Sequence, residues 1–159
     1  MKLKDIMTPI VEVVHPDTAL QDCARKMKAN DIGSIPVCDG DRLVGMVTDR
    51  DLVIRAFAEG LSPNDIAVRE VMSSPIVFAF EDEDVASAAR IMEVKQIRRL
   101  AVLNHKRRLV GIVSLGDVAA KTGNEALSGE ILQKICEPLF QNPTSREKPS
   151  SPMAEADSA

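Results

Sequence analysis

Two short segments of the sequence pair a hydroxyl with a carboxylate three residues later. Thr48 precedes Asp51, Ser114 precedes Asp117, and each pair follows a glycine and a short apolar stretch. If each pair opens a helix, the free N–H groups and partial positive charge of that helix start attract an anion. The neighbouring carboxylate can accept two hydrogen bonds from vicinal hydroxyls. The pattern therefore predicts a receptor for a ribose phosphate.

An alternative interpretation of these segments needs no ligand. Thr48 and Ser114 would be ordinary helix N-caps, and Asp51 and Asp117 would interact with the helix dipole. Such caps are common at the start of any helix. Because both residue types recur at the equivalent place in both segments, we favour the ligand site.

Paired arginines offer positive charge near one of these segments. Arg98 and Arg99 come just before a predicted hairpin, and their planar guanidinium groups can bind phosphate in a bidentate manner. The equivalent residues earlier in the chain, Gly33 and Ser34, are uncharged. A solvated surface pair is the alternative for any two arginines, and we prefer it for the pair at 107–108, which lies in a predicted turn.

The two segments belong to a repeat that spans most of the chain. A shift of 65 residues aligns identical residues, and after a one-residue insertion the shift becomes 66. So many identities in one register indicate two copies of one unit. The aligned identical pairs include Met7–Met72, Asp17–Asp82, Ala24–Ala89, Arg25–Arg90, Met27–Met92, Ile32–Ile97, Val37–Val102, Val47–Val113 and Asp51–Asp117.

Each copy has the pattern of a strand, a helix, a hairpin and a closing helix. Apolar residues at helical spacing predict helices that begin near Leu20 and Val85, and Thr18 with Gln21 fits a capping box for the first of them. Neither copy, at roughly 50–60 residues, buries enough surface to be stable alone, so the two should pack together. The fold class is therefore α/β (α+β), with two β-α-β-β-α repeats. First strands are predicted at 10–14 and 76–80, hairpins at 34–47 and 100–113, and closing helices at 50–58 and 116–121.

Composition changes set the expected boundaries. The repeats are assigned to residues 1–60 and 69–122, with a linker at 61–68. Apolar residues at helical spacing from Ser128 to Cys136 predict a helix within a C-terminal segment at 123–137. The remainder, 138–159, is rich in Pro, Ser and Glu, a composition typical of a disordered tail.

Composition also excludes several classes of function. The chain has 159 residues, a net charge of −4, 3% aromatic residues and neither Trp nor Tyr. These values count against an aromatic platform for single-stranded nucleic acid and against a basic surface for duplex DNA. The longest uncharged stretch is far shorter than the ~20 apolar residues of a membrane span, and the start of the chain lacks a signal-peptide pattern.

Three cysteines and two histidines are the remaining candidates for chemistry. Cys23, Cys38 and Cys136 are an odd number without paired spacing, which favours reduced thiols in a cytoplasmic protein. The common motifs of nucleotide hydrolysis, esterase and zinc-protease chemistry are absent, so no enzyme activity is predicted. A zinc site built from His15, His105 and Cys38 stays open as an alternative, although the spacing has no ligand signature.

The repeat and its motifs resemble the cystathionine-β-synthase (CBS) domain pair, also called a Bateman module. Each copy closes with the pattern Gly-x-x-Thr/Ser-x-x-Asp, and further similarity lies in Asp-Ile-Met-Thr at 5–8 and Asp-Ile-Gly-Ser-Ile-Pro-Val at 31–37. The resemblance covers about residues 1–121. The sequences at 96–99 and 135–138 also resemble small stand-alone bacterial members of the hypoxic response protein type.

The resemblance implies two repeats packed with pseudo-twofold symmetry and two clefts between them, in which members commonly bind adenosine nucleotides. The Asp of one copy would hold the ribose, and the Thr or Ser beside it would support ribose or phosphate. The first cleft would contain Thr48, Asp51, Ile76, Val77, Ile97, Arg98 and Arg99, with Arg50 as a further candidate. The second cleft would contain Ser114, Gly116, Asp117, Thr8, Ile10, Ile32, Gly33 and Ser34.

The implied function is non-enzymatic regulation by an adenosine nucleotide of the AMP, ADP or ATP type. The arginines lead us to expect that an anionic nucleotide prefers the first cleft. Ala101, which stands where the first copy has Pro36, would loosen the adenine slot of that cleft. The resemblance also implies a homodimer of domain pairs, with no nucleic-acid or membrane partner. The alternative is a structural or interaction homodimer with empty or metal-bound clefts.

Overall fold

Mixed α and β elements follow one another in two similar series. The computed structural model describes residues 1–9, 12–123 and 125–136. In this part of the chain the order agrees with the expected α+β class and its two repeats. The elements are α1 (Leu3–Ile6), β1 (Thr8–Pro9), α2 (Leu20–Asn30), β2 (Ser34–Asp39), β3 (Arg42–Thr48), α3 (Asp49–Asp51) continued by a π-helix (Leu52–Phe57), a 3-10 turn (Val68–Glu70), β4 (Phe78–Phe80), α4 (Val85–Lys95), β5 (Arg99–Leu103), β6 (Leu109–Ser114), α5 (Leu115–Thr122) and α6 (Glu125–Cys136).

Equivalent turns end the first long helix of each repeat and start its hairpin. Helices α2 and α4 end at Asp31 and Gln96, which both adopt the left-handed conformation. Strands β2 and β3 then form one antiparallel hairpin, and β5 and β6 form the other. The register places Ser34 opposite Thr48 and Arg99 opposite Ser114. Each motif hydroxyl therefore lies beside the first residue of its own hairpin.

Each repeat contributes its leading segment to the other repeat. Strand β1 pairs antiparallel with β6, in a four-stranded sheet of order β1-β6-β5-β4. Leu3 and Ile6 of α1 are buried in the core of the second repeat. In return, Ser73 exchanges two backbone hydrogen bonds with Met46 of β3, of 2.8 and 3.2 Å. Two separately folding halves would not need this exchange, so the repeats form one structural unit.

Two glycines let the exchanged segments come close. A Cβ atom on Gly111 would lie 2.6 Å from the Met7 sulfur and 2.9 Å from the Thr8 carbonyl oxygen. A Cβ atom on Gly45 would lie 2.5 Å from the Met72 sulfur and 3.2 Å from a backbone oxygen. Side chains cannot occupy such space without displacing their neighbours. The glycine of each motif is thus needed for packing between the repeats.

Three apolar clusters build the interior of the described part of the chain. The first core lies in repeat one, the second core lies in repeat two, and a small interface cluster lies between their hairpins. Cys23 is fully buried in the first core, and burial raises the pKa of its thiol to about 11, against a smaller opposing effect of Lys26. The first core includes Leu20, Met27, Ile35, Val47 and Val68; the second includes Ile6, Met92, Leu100, Val113 and Val118; the interface cluster includes Leu43, Ala101 and Leu103.

The start of helix α2 differs from the sequence prediction. The Thr18 hydroxyl does not cap this helix; it accepts a hydrogen bond from the His15 N–H at 3.1 Å. The first helical N–H groups, of Leu20 and Gln21, instead donate to the carbonyls of Ile66 and Pro63. The capping-box prediction was wrong because the linker supplies backbone acceptors that local sequence cannot reveal.

The leading strands are also shorter or displaced. Within the expected strand at 10–14, residues 10 and 11 lie outside the described residues, and Val14 forms only an isolated bridge to Val37. The short strand of this region is Thr8–Pro9, and the strand expected at 76–80 begins at Phe78. The reason is that β6 and β5 set these pairings, so strand length depends on the partner.

The predicted C-terminal helix is present and begins at Glu125. It packs against α4 and α5 and buries Ile131 in the second core. The tail expected at 138–159 lies outside the described residues. Among the described helices, none has the length and apolar character needed to cross a bilayer.

Candidate functional site

Both sequence motifs form the same hydrogen-bonded cap. The Asp51 Oδ2 atom accepts hydrogen bonds from the Thr48 N–H and the Thr48 hydroxyl, each at 2.9 Å. The Asp117 Oδ2 atom does the same with Ser114, at 2.8 and 2.6 Å. In return, the Asp51 and Asp117 N–H groups donate to the hydroxyl oxygens at 3.1 Å. Thr48 and Ser114 therefore do cap their helices, as the alternative interpretation expected. The cap uses only one oxygen of each carboxylate.

A basic residue one turn later engages the second oxygen of each carboxylate. The Asp117 Oδ1 atom lies 2.8 Å from the Lys121 Nζ atom, and the Asp51 Oδ1 atom lies 3.6 Å from the Arg55 Nε atom. These two cations were not among the site residues expected from the sequence. A signal was available, because residues 55 and 121 are equivalent in the repeat and follow each Asp by four positions.

The same cations hold the exchanged segments. Lys121 donates a hydrogen bond to the Ile6 carbonyl at 2.7 Å. Arg55 donates to the Val71 and Met72 carbonyls at 2.8 and 3.2 Å. Through one cation, each motif carboxylate is thus connected to a backbone segment of the other repeat. Asp117 is connected to Ile6, and Asp51 is connected to residues 71–72. A ligand that bound the carboxylate would act on this connection directly.

The Asp117 carboxyl is held in its ionised form. Partial burial alone would raise its pKa, but hydrogen bonds from Lys121 and Ser114 more than offset this effect. The pKa of Asp117 is consequently lower than its ordinary value, so the group is a carboxylate at neutral pH. An ionised carboxylate can accept hydrogen bonds from a diol, whereas a protonated one would lose acceptor capacity.

The second cleft exists as a cavity of about 360 Å³. It joins residues from both repeats, as expected. Ile10 lies outside the described residues, and Gly116 occupies the first turn of α5, between the two motif residues. The expected residues that line this cavity are Thr8, Ile32, Gly33, Ser34, Ser114 and Asp117, and Arg99 joins them.

Residues assigned to the first cleft are distributed more widely. Thr48 and Asp51 form the cap described above, with Arg50 exposed beside them. Ile76 lines a separate cavity near the hairpin turns, whereas Val77 and Ile97 pack against the second core. The Arg98 carbonyl accepts the Leu115 N–H at 3.0 Å, which ties the start of one hairpin strand to the start of α5.

Arg99 changes the expected charge difference between the clefts. It was assigned to the first cleft, but it lines the second, where β5 places it opposite Ser114. The second cleft therefore has a cation that its own Gly33 and Ser34 do not provide, although the carboxylates of Glu12 and Asp31 also line it. Arg99 therefore no longer supports the expectation that positive charge favours the first cleft. Strand pairing, rather than proximity in sequence, decides which cavity this residue faces.

The histidines and Cys38 have other partners. His15 lies 3.6 Å from an Asp17 oxygen and 3.4 Å from an Asp39 oxygen, and His105 lies 3.0 Å from an Asp82 oxygen. Burial, followed by the nearby Asp41 charge, raises the pKa of the Cys38 thiol. Across residues 1–9, 12–123 and 125–136, no group of three or more His, Cys, Asp or Glu side chains is placed to hold a metal ion.

Hypoxic response proteins are similar to this chain in sequence and in fold. Hypoxic response protein 1 of Mycobacterium tuberculosis is 36% identical over 137 residues, which are 86% of this chain and 94% of the relative. The crystal structure of Hypoxic Response Protein I with two coordinated zinc ions has a TM-score of 0.70 at 38% identity, over 76% of this chain and 98% of the other.

Two ligand complexes are similar at lower identity. The crystal structure of CBSX2 with AMP has a TM-score of 0.65 at 28% identity, over 74% of this chain and 93% of the other. The CBS domain pair of MJ0100, with 5'-methylthioadenosine and S-adenosyl-L-methionine, has a TM-score of 0.69 at 28% identity, over 79% and 98%.

The family assignment rests on both halves of the chain. The CBS domain profile matches residues 3–57 and again residues 68–122. These two matches contain the repeat, the exchanged leading segments, both hairpins and both capped motifs. The chain therefore belongs to the CBS domain family and carries two CBS domains in tandem.

Proposed function

We propose that this domain pair is a non-enzymatic regulatory module that binds an adenosine nucleotide between its repeats. The single observation that carries the proposal is the second-cleft cavity, where residues of both repeats meet around the Asp117 carboxylate. Its volume of about 360 Å³ lies in the range of small-molecule sites, about 300–1,000 Å³. A ligand there would contact both repeats at once.

The chemistry of the cavity suits a nucleotide in four ways. Asp117 supplies an ionised acceptor for the ribose hydroxyls, and Arg99 supplies a cation for phosphate. The first N–H groups of the eight-residue helix α5 add partial positive charge near Ser114. Ile32 offers apolar surface for a base at the same cavity.

The related complexes support an adenosine-containing ligand. Their ligands are AMP in one case and methylthioadenosine with S-adenosylmethionine in the other. These ligands share adenosine and differ in charge. Adenosine is therefore the part of the ligand that we expect this chain to bind. The zinc ions of the hypoxic response protein structure favour the alternative of a metal-bound interaction protein.

Regulation would follow from the contacts of Lys121. A diol bound to Asp117 competes with the ammonium group for the carboxylate, and Lys121 also holds the Ile6 carbonyl of α1. Loss of that hydrogen bond would loosen α1 and the leading segment. The ligand can change this arrangement only to the extent that it binds the two arrangements with different affinity.

A thermal-shift panel followed by calorimetry tests the proposal. The panel contains AMP, ADP, ATP, NAD, S-adenosylmethionine and zinc. A ligand at ~100 times its dissociation constant adds ~2.7 kcal/mol to the free energy of unfolding, which gives a clear rise in Tm. We expect an adenosine ligand to raise the Tm, and Asp117→Ala to weaken its binding by about tenfold or more, a loss of about 1.4 kcal/mol.

Asp51→Ala is the matched control, because it removes the same carboxylate from the other motif. Since Arg99 lines the second cleft, the larger loss is expected for Asp117→Ala. Circular dichroism checks that both variants are folded. If only zinc raises the Tm, or if neither variant weakens nucleotide binding, the nucleotide proposal fails and the interaction alternative replaces it.

We also propose a homodimer that uses the closing helix of repeat one. Val53, Ile54 and Phe57 are 54%, 50% and 82% exposed. Their neighbourhood on one helix, together with the exposed Leu61 nearby in sequence, forms an apolar face of the kind that marks an interface. Light scattering after gel filtration should give a dimer mass, and Phe57→Glu should give a monomer. A monomeric parent chain would contradict this.

A further inference from the structure

A cavity larger than the second cleft lies between the turns of the two hairpins. Its volume is about 860 Å³. Arg42 contributes from the β2–β3 hairpin, and Lys106, Arg107 and Arg108 contribute from the β5–β6 hairpin. Strand β2 runs six residues from the cleft end to this end, a distance of about 20 Å. Neither motif hydroxyl nor motif carboxylate lines this hairpin-tip cavity, although Ile76, which was assigned to the first cleft, does.

The charge of this cavity is strongly positive in a chain whose net charge is −4. Asp41 is the acidic residue that lines it, and Asp41 forms a 3.0 Å ion pair with Arg108 across the two repeats. Arg42, Lys106 and Arg107 form no ion pair with any of the described residues. Three cations thus face one cavity without an ion-pair partner. All three are exposed, so water screens their mutual repulsion, and together they make the cavity attractive to an anion.

The turn that carries Lys106 and Arg107 is firmly held. The Asn104 side-chain oxygen accepts hydrogen bonds from the Lys106 and Arg108 N–H groups, both at 3.0 Å. The Asn104 backbone carbonyl accepts a third from Arg107 at 2.8 Å. Arg107 adopts the left-handed conformation, with φ of 59°. A side chain is disfavoured at such an angle, so the turn holds Arg107 in a costly position.

An apolar floor lies beneath these charges. The Arg107 guanidinium lies 5.7 Å from the centre of the Phe78 ring, a cation–π contact. Phe78 packs in turn against Phe80, and both pack against the interface cluster with Ile76. A low-dielectric floor strengthens the attraction between surface cations and a bound anion. The arrangement differs from a solvated pair of arginines, which would have no cavity and no floor.

We propose that the hairpin-tip cavity binds a small polyphosphate anion through Arg42, Lys106 and Arg107. Guanidinium groups bind phosphate oxygens in a bidentate manner, and several linked phosphates match three positive charges in one compact group. The volume suits a small molecule rather than a protein segment. Because Arg42 belongs to one repeat and the other two cations to the second, the anion would join the hairpins.

Isothermal titration with inorganic tripolyphosphate tests the site. This probe has no ribose, so Asp51 and Asp117 have nothing to recognise in it. The test variant is Arg42→Gln with Arg107→Gly, in which glycine suits the left-handed backbone and should preserve the fold. The control variant is Lys28→Gln with Arg90→Gln, which removes the same charge from exposed positions outside this cavity.

The expected result is one binding event in the parent chain that weakens by about tenfold or more in the test variant. Binding should change less than about twofold in the control variant, and it should weaken as salt rises. Absence of binding by the parent chain would overturn the proposal. So would equal weakening in the test and control variants, or a loss produced by Arg99→Gln but not by the test variant, which would mean that the anion binds in the second cleft.

Discussion

The two CBS repeats share one backbone plan but present different surfaces. On the closing helix of repeat one, Val53, Ile54 and Phe57 are large and exposed. The equivalent positions of repeat two hold Ala119, Ala120 and Gly123, and this repeat also receives α6, which buries Ile131. Equivalent core positions hold similar residues in both repeats because both hairpins need the same packing, whereas surface positions can hold different residues. The two repeats therefore differ mainly in their surface residues.

The motifs of the two repeats differ in how tightly the carboxylate is engaged. Asp117 lies 2.8 Å from Lys121, whereas Asp51 lies 3.6 Å from Arg55. The shorter contact accompanies the cavity that Arg99 also lines. Equivalent positions thus engage the two carboxylates unequally, and substitutions at equivalent positions should have different effects.

The largest effect is expected from equivalent core residues. Ile35 and Leu100 occupy matched positions, are fully buried and belong to different cores. Ile35→Ala and Leu100→Ala should each lower the free energy of unfolding by about 2–5 kcal/mol, because each removes buried apolar volume. Because the leading segments are exchanged, urea denaturation should show one transition that either substitution shifts.

Two separate transitions would contradict that prediction. In particular, a transition that moves with Ile35→Ala but not with Leu100→Ala would mean that the first core unfolds independently of the second. Circular dichroism and chemical shifts followed through the same titration give the comparison, because coincident curves are the test of two-state behaviour.

An intermediate effect is expected at the two motif glycines. Gly111→Ala should destabilise more than Gly45→Ala, because its new Cβ would lie 2.9 Å from a backbone oxygen rather than 3.2 Å. We expect a loss of about 1–3 kcal/mol for Gly111→Ala and a smaller loss for Gly45→Ala, measured by urea denaturation. Met7→Ala gives the new methyl group room, so it should recover part of the loss in the Gly111 variant. If Gly111→Ala left the free energy of unfolding unchanged, the close approach of residues 7–8 to Gly111 would be wrong.

The smallest effect is a pH dependence that belongs to repeat two. The pKa of Asp117 is lowered, because hydrogen bonds from Lys121 and Ser114 outweigh its burial. Its ionised form therefore stabilises the fold above its ordinary pKa of about 3.9, and the stabilisation is lost as pH falls through the lower folded value. Relative to the parent chain, Asp117→Asn should lose stability at pH 7 and little at pH 3.

Urea denaturation at pH 7, 5 and 3 measures this difference. The expected loss at pH 7 is about 0.5–2 kcal/mol, the range of a helix cap. A difference between the two proteins that stays constant from pH 7 to pH 3 would mean that the charge of Asp117 contributes nothing.

The sequence by itself determined the repeat, the two hairpins, helices α2 and α4 and the positions of both motifs. These features depend on local periodicity, on turn residues and on caps such as Asp84, whose side chain accepts the Ala86 N–H. They also repeat after a fixed shift, so each copy confirms the other. A resemblance carried by such local motifs was enough to identify the family.

The tertiary structure alone decided which residues meet. Lys121 holds the Ile6 carbonyl across 115 positions, and Arg99 lines the second cleft because β5 pairs with β6. The linker carbonyls, rather than Thr18, complete the start of α2. Each of these contacts joins segments distant in sequence, and backbone groups take partners wherever burial leaves them unsatisfied. Local pattern cannot contain that information, because the partner is chosen by how the two repeats exchange their first segments.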